Sequence, residues 1–490
     1  MIGRRQLLRG AACGGLALSL NPLPDALAES DASGTLLNDV QSQLNRTRVR
    51  RIVQPATLAE LESALDSARK EDLAISVAGG RHSMGAQQFG SGNLHLDMTA
   101  FNRVLHLDEE RGLVTAEAGI QWPELIQELH RRQPVAEQPW TIREKQTGVD
   151  AVTLAGSLAS NVHGRALASP PIVRDVESFE LLDAEGRLQR CSRTENAELF
   201  SLAIGGYGLF GVMTQVRLRL VRRYKVRRRV EKIVVKDLLD WYQRRIGERF
   251  VFGDCQYSGD LSGAAEAHEG IFPCYQRVPL DTPLTERPRS FSRDDWAGLY
   301  RLMRTDKRRA FAEYAEHYLQ TDGQVYWSDT HQLAGNFVGH RTAVDAREGT
   351  EMITEVYLRH DDLLPFFAKI RQDMAERKAD IMYGTIRFIE RDDETFLPWA
   401  KERSVCVVCN LHVRHTDEGI AKAQADFRQI LSRVVEFGGS FYLTYHRWAT
   451  AEQVAACYRR IRDFFRLKRK YDPHERLQSD WYRQYAAAFR

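Results

Sequence analysis

The 490-residue chain predicts an α+β protein of two domains, on three observations. From about Leu44 to Leu220, short strand-like runs alternate with amphipathic helical runs. Beyond residue 230 the pattern changes to Trp- and Tyr-rich strand signals set among longer helices, as expected of an antiparallel sheet flanked by helices. The length also exceeds what a single hydrophobic core usually organises. A hydrophobic content of 43% with 28% charged residues is that of an ordinary soluble protein. The net charge of +3 is spread along the chain, which argues against a dedicated nucleic-acid binder.

The N-terminus stands apart from the fold. Arg4-Arg5-Gln6-Leu7-Leu8-Arg9 is a twin-arginine pattern, Ala11 to Leu20 is mildly apolar, and Ala26-Leu27-Ala28 offers the small residues a signal peptidase needs. The apolar stretch is too short to remain in a bilayer, so no stable membrane insertion is expected. A lipoprotein reading through Cys13 is weakened by Gly10, where a larger aliphatic is expected. The expectation is twin-arginine export to the periplasm or medium, a route suited to a protein that folds around a cofactor first. Six cysteines then remain (Cys191, Cys255, Cys274, Cys406, Cys409 and Cys457), too widely spaced to define a disulfide framework. Cys406 and Cys409 have CxxC spacing, but in a β-like run positions three apart face opposite sides, so two separately buried thiols are expected.

Thr57 caps a helical stripe with apolar residues at 58, 61, 64, 65 and 68. Leu73 to Ala78 is a β run ending in two glycines. Asn93 to Met98 and Leu113 to Ala118 alternate as strands, and Gln121 to His130 reads as a helix with Pro123 in its first turn. The basic run Arg222 to Arg229 reads as a solvated strand or crossover. Asp260 to Gly270 has the character of a surface loop. Leu363 to Lys378 is a helix, Asp380 to Glu390 and Ser404 to Val413 are strands, and Ala451 to Lys470 is one helix stopped by Tyr471-Asp472-Pro473.

Three glycine-rich segments carry candidate chemistry. In Gly79-Gly80-Arg81-His82-Ser83-Met84-Gly85, glycines allow turns in which backbone N–H groups converge on a phosphate; the same residues suit a tight surface turn with an incidental histidine. Thr153 to Gly164 is a run of small residues suited to packing against a flat ligand, or to a tightly packed helix start. Gly206-Tyr207-Gly208-Leu209-Phe210-Gly211 is a formal GxGxxG, but it leads into the alternating stretch Val212 to Leu220, a strand, so a Rossmann site is excluded on context.

In this order and spacing the three segments, with Leu96-Asp97-Met98 and Val176-Glu177-Ser178 followed by Asp183-Ala184-Glu185-Gly186, resemble the vanillyl-alcohol oxidase, or PCMH-type, FAD-binding oxidoreductases. The likeness is nearest to the sugar-alcohol and aldonolactone oxidases and the cytokinin dehydrogenases, and covers residues 45 to 220 best. With the twin-arginine signal peptide read at 1–28, it implies a PCMH-type FAD-binding domain of two α+β subdomains at 45–222, a substrate or cap domain at 223–440, and a C-terminal segment at 441–490 returning to the FAD domain. It also implies that Gly79 to Gly85 hold the FAD pyrophosphate, with His82 bonded covalently to the flavin. Gly156, Ser157, Ser160, Asn161, His163 and Gly164 would line the isoalloxazine and ribityl chain, and Gly206, Gly208, Gly211 and Val212 the adenine side. Tyr383 to Asp393 is similar to a strand and turn whose Arg faces the flavin, which makes Arg387 a candidate to stabilise charge on the ring, with a salt-bridged surface Arg as its alternative. Tyr445-His446-Arg447-Trp448 is similar to a His-Trp-x-Lys stretch, but an Arg is inserted and the Lys is absent. His446 is then a candidate general base or a structural histidine.

The function expected is FAD-dependent oxidation of a CH–OH donor (sugar alcohol, lactone or similar) or a CH–NH donor by hydride transfer to flavin N5. A small-molecule substrate, oxygen or another electron acceptor, and the twin-arginine machinery are the expected partners. A non-catalytic exported flavin- or ligand-binding protein and a flavin-dependent C=C reductase are the alternatives. No metal site is expected.

Overall fold

The computed structural model describes residues 34–262, 264, 267–335 and 349–489. The twin-arginine pattern, the cleavage site and Cys13 lie outside the described residues. Helices and strands are mixed throughout, an α+β fold.

Thr57 caps the first helix, Leu58–Lys70, its hydroxyl accepting from the Glu60 N–H at 3.3 Å. Leu61, Ala64, Leu65 and Ala68 are buried, while Leu58 remains exposed at the helix start. That stripe packs on a three-stranded parallel sheet in which Leu94–Asp97 lies between Arg51–Val53 and Ile75–Ala78. A second, five-stranded antiparallel sheet runs Leu188–Ser192, Val176–Leu182, Val212–Arg219, Leu113–Glu117 and Val104–Asp108. Val212–Arg219 follows the GxGxxG directly, so the strand expected there is present. Trp122–Arg132 is the expected helix, with Pro123 in its first turn.

The described residues between 225 and 441 build one nine-stranded sheet. Its order is Val325–Trp327, Lys225–Val234, Glu269–Val278, Cys255–Ser258, Ile381–Ile389, Ser404–Arg414, Gly349–Arg359 and Ser440–Phe441, with Phe250–Gly253 also pairing to Glu269–Val278. Residues directly opposite across antiparallel strands share a face. Tyr357, Cys406 and Arg387 therefore form one row, and Glu355, Val408, Thr385 and Gln256 the next, on a common face. Cys409, Gly384 and Tyr257 lie on the reverse face, where Tyr257 meets Phe367 of the helix Leu363–Glu376 edge-on at 5.1 Å. The two CxxC thiols are thus buried on opposite sides, as alternation requires, and the six described cysteines are all free.

Two expectations need correction. The basic run is a strand, but it is not simply solvated: Lys225 is buried and the Arg228 guanidinium lies over the rings of Tyr275, Tyr318 and Tyr326. The rings replace water as the cation's environment. The tail helix is two helices, Ala451–Cys457 and Ile461–Tyr471. The break falls at Tyr458, whose side chain is buried and whose hydroxyl donates to the Phe441 carbonyl, so tertiary anchoring turns the chain where no Pro or Gly marks a stop.

The tail ends where expected, for a specific reason. Lys468 and Asp472 form a fully buried pair, and the Asp472 carboxylate also accepts from the N–H groups of Arg476 (2.9 Å) and Leu477 (2.8 Å). The turn so fixed delivers Leu477 to the edge of the parallel sheet, where Ile75 N–H donates to Arg476 O at 2.7 Å and Gln478 N–H to Ile75 O at 2.8 Å. The C-terminal segment therefore packs back on the N-terminal half, and the final helix is Asp480–Ala488. No helix among the described residues is long and apolar enough to cross a membrane.

Candidate functional site

The parallel sheet, the helix Leu154–Ser160, the 207–213 turn and the common face of the nine-stranded sheet bound one cleft, lined by residues from all four.

The first wall is Gly79 to Met84. A Cβ on Gly79 would enter the Thr153 side chain and one on Gly80 would enter the Ala151 carbonyl, so the loop lies against 151–153 as only glycine can. Arg81 has φ +57°, a left-handed turn within the loop. Among the described residues no acceptor meets the N–H groups of Gly80, Arg81 and Ser83. The loop ends are pinned: Val40 N–H donates to Arg81 O at 3.0 Å, Met84 N–H to Thr444 O at 2.9 Å, and the Ser83 and Thr444 hydroxyls are 2.9 Å apart. A rigid loop with unspent N–H groups is an anion cradle. His82 lines the cleft within it.

The second wall is the short helix that begins at Thr153, whose Oγ1 accepts from the Gly156 N–H at 3.2 Å. Gly156, Ser160 and His163 reach the cleft, and Asn161 turns the chain at φ +51°. The third wall, with Gly208 and Gly211, is tied to the second by Gly205 N–H to Leu158 O and Tyr207 N–H to Ala159 O, both 2.9 Å. A loop of Gln146, Thr147 and Val149 closes a further side. The buried Lys145 holds it, donating to Gln146 O at 2.8 Å and Val149 O at 2.9 Å and pairing with Asp150.

The facing wall comes from the large sheet and the C-terminal segment: Ile353, Glu355, Arg387, Tyr442, Thr444 and Tyr445. Glu355 is its hub. One carboxylate oxygen accepts from His163 Nε2, from the Tyr357 hydroxyl at 2.8 Å and from Cys406 Sγ at 3.1 Å; the other accepts from the Tyr445 hydroxyl at 2.9 Å. Burial alone would raise this carboxyl, but His163, Arg387 and the Cys406 bond hold it down at about 2. His163 Nδ1 donates to Gly164 O at 3.1 Å, so both ring nitrogens face oxygen acceptors. Arg387 Nη2 donates to Thr147 Oγ1 at 2.6 Å. Burial would depress this guanidinium, yet Asp254, Cys406, Glu355 and Tyr445 hold it above its ordinary value, so it stays cationic.

The expected residues divide cleanly. Gly79, Gly80, Arg81, His82, Ser83, Met84, Gly156, Ser160, His163, Gly208, Gly211 and Arg387 line the cleft. Arg387 is a half-buried wall residue, its side chain 14% exposed, not a surface one. Gly85, Ser157, Asn161, Gly164, Gly206 and Val212 do not line it and act one layer back. Gly85 packs on the Tyr445 carbonyl, Gly164 on Glu144 and Lys145, and Gly206 on the Leu202 carbonyl. Ser157 Oγ bonds Thr153 O and Trp122 Nε1, Asn161 Nδ2 donates to Asp392 at 2.9 Å, and Val212 is core. His446 is misplaced as a base. Its ring is buried, stacks on Trp448 at 4.3 Å and 18°, and lies outside the cleft, and burial depresses it to about 3. Its neighbour Tyr445 faces the site instead. Glu355 and Thr147 were not anticipated.

A family model described as an FAD-binding domain matches residues 49–192, the segment that carries the first two walls. The chain carries an FAD-binding domain of the PCMH type. The chain is similar to the L-gulonolactone oxidase of Bos taurus, 30% identical over 38% of this chain and 41% of that protein. It is also similar to the mitochondrial L-galactono-1,4-lactone dehydrogenase of Arabidopsis thaliana (32% identical, 44% of this chain and 32% of that protein). The D-arabinono-1,4-lactone oxidase of Debaryomyces hansenii aligns at 26% identity over 51% of this chain and 43% of its own length. The chain thus spans well under half the length of these curated relatives. The residues present fit FAD: a glycine cradle with unspent N–H groups for the pyrophosphate, in a cleft whose lining runs from that cradle to Arg387 and Glu355.

Proposed function

We propose that the protein is an FAD-dependent oxidoreductase that oxidises a CH–OH or CH–NH donor, with oxygen or another acceptor taking the electrons. One observation carries the reading: the cleft sets the glycine cradle and His82 on one side and a polar wall of Arg387, Glu355 and Tyr445 on the other. When bound, the isoalloxazine supplies the hydride acceptor at N5. Gly80, Arg81 and Ser83 bind phosphate oxygens through their N–H groups. Arg387, locked by Thr147, presents a fixed positive charge where negative charge develops. Glu355 holds the Tyr445 hydroxyl proton, leaving the phenol oxygen to accept a hydrogen bond from a donor O–H or N–H. Ile353 and Tyr442 exclude water around that contact.

The same reading takes His82 as the covalent attachment point, 45–222 as the FAD domain, 223–440 as the cap, 441–490 as the returning segment, and residues 1–28 as a twin-arginine signal for the periplasm. The experiment is anaerobic mixing of the purified holoprotein with polyols, aldonolactones, hydroxy acids and amines while flavin absorbance is followed, with acid precipitation alongside. Bleaching by a donor and a yellow pellet are expected. Reduction by NAD(P)H with no response to any donor would overturn the oxidising role, and flavin released to the supernatant would remove the covalent role of His82.

A further inference from the structure

The Arg387 guanidinium is held by one hydrogen bond among the described residues, Nη2 to Thr147 Oγ1 at 2.6 Å. Its Nε is buried with no acceptor, and its ion-pair carboxylate, Asp254 Oδ2, stands off at 3.7 Å. The position of this charge therefore depends on Thr147, which belongs to a loop without regular secondary structure. Among the described residues, no N–H or C=O group of 143–150 takes part in a backbone–backbone hydrogen bond. Side chains alone give this wall of the cleft its shape.

The central one is Lys145, which does not itself line the cleft. Its fully buried ammonium is ringed by Gln146 O at 2.8 Å, Val149 O at 2.9 Å, Asp150 Oδ1 at 2.9 Å and Gln332 O at 3.3 Å. An ammonium has three N–H donors, so all are spent. The Gln146 and Val149 carbonyls bracket Thr147, so the cation closes the loop around the residue that holds Arg387. Gln146 Nε2 adds a second bond to Val149 O at 2.9 Å, and Gly148 makes the turn between them at φ +77°. The clamp also reaches the other half of the chain. Lys145 N–H donates to Gln332 Oε1 at 3.1 Å, and both Asp150 oxygens accept from Ala334 N–H at 2.9 Å. Burial pulls the ammonium below its ordinary value, and Asp150 opposes that pull.

We propose that Lys145 is a positioning residue of the redox site. Acting through the 146–149 loop and the Thr147 hydroxyl, it sets where the Arg387 charge stands, and with it the reduction potential of a flavin bound in the cleft. Reduction adds negative charge to the ring, and a fixed cation beside it stabilises the reduced form. A guanidinium released from Thr147 is free to close on Asp254, and its interaction with the ring weakens with distance. This rests on the reading that sets the flavin ring against Arg387, and adds to it a residue that touches neither cofactor nor donor.

The test is the midpoint potential of the flavin in the holoprotein, measured by equilibration with reference dyes, which needs no donor. Arg387→Met, the reference variant, is expected to lower it. Thr147→Val and Lys145→Met are each expected to shift the two-electron reduction equilibrium at least tenfold toward the oxidised form, about 30 mV. The double variant is expected to fall no further than the larger single change, because both act on one contact. Thr147→Ser, which keeps the hydroxyl, is expected to keep the wild-type potential. An unchanged potential in Lys145→Met would overturn the positioning role. So would a double variant equal to the sum of the singles, the result of a cation acting directly through space. If Lys145→Met does not fold, Asp150→Asn replaces it: a lowered potential supports the clamp, whereas no change, or the rise that direct loss of an anion produces, overturns it. An unchanged potential in Arg387→Met would overturn the positioning together with the placement of the ring, and donor bleaching then decides the oxidoreductase reading separately.

Discussion

Replacing Glu355 with Gln tests whether the hub is a charge that the fold depends on. The substitution keeps the shape and one acceptor but removes the anion that His163, Tyr357, Cys406 and Tyr445 all address. The carboxyl sits at about 2 in the folded protein against an ordinary 4.5. At 1.36 kcal/mol per pKa unit, that is a stabilisation of about 3 kcal/mol, in the range for breaking a buried ion pair. Because the folded value is depressed, the contribution is fully present above pH 4.5 and disappears as pH falls toward 2. Urea unfolding of wild-type and Glu355→Gln holoprotein, followed by tryptophan emission, should differ by about 3 kcal/mol at pH 7, with the gap closing on acidification. A gap below about 1 kcal/mol at pH 7, or one indifferent to acid, would refute the hub as an ionised centre.

Other expectations follow from single contacts. Gly80→Ala drives a methyl into the Ala151 carbonyl, so flavin per polypeptide should fall at least tenfold while far-ultraviolet circular dichroism is retained. His446→Phe preserves the stack on Trp448 and should leave donor kcat/KM within about twofold, where loss of a general base would cost ~10²–10⁴. Glu351, buried beside the hydroxyls of Tyr300 and Tyr383, is raised to about 7 by its burial. Since its folded value is raised, its stabilising share is whole below pH 4.5 and declines by about 3 kcal/mol up to pH 7. Denaturation of Glu351→Gln against wild type at pH 5 and pH 8 should show that the variant lacks this decline.

The flavin half was readable because its signals are local. A glycine pair after a strand, small residues through the 154–164 turn and a GxGxxG running into an alternating strand each state a backbone need within a few residues, and the first, second and third walls are built from them. The facing wall was not readable, because it is made by strand pairing. Gln256, Thr385, Val408 and Glu355 become neighbours only through the register of four strands spread over more than 100 positions. No spacing in the chain announces that row. Arg387 was found through resemblance, and its partners Asp254 and Thr147 were not. Tyr445 was missed by one residue: the histidine beside it has the more familiar chemistry, but the backbone turns the phenol inward and the imidazole onto Trp448. The break at Tyr458 was invisible for the same reason, being set by a bond to Phe441 and not by a local breaker.

The way the cleft is closed bears on when it can be filled. The cradle is pinned by a contact between Ser83 and Thr444, 361 residues apart, and the facing wall is completed by Tyr445 beside Thr444 and by Glu355 from a further segment. The sheet edge next to the cradle is completed by Leu477, held there through the buried Lys468–Asp472 pair. A partly made chain therefore has the glycine loop but neither its clamp nor its opposite wall. Tight retention of FAD, by contacts or through His82, requires the whole chain to be folded. Ligand that binds only the native state then adds RT ln(1 + [L]/Kd) to its stability. If FAD is acquired inside the cell before transport, an unfolded export route would discard it. A twin-arginine route would keep it, so the double variant Arg4→Lys, Arg5→Lys should hold FAD-loaded, uncleaved protein inside the cell, and flavin-loaded, processed protein outside it at the wild-type level would refute the route.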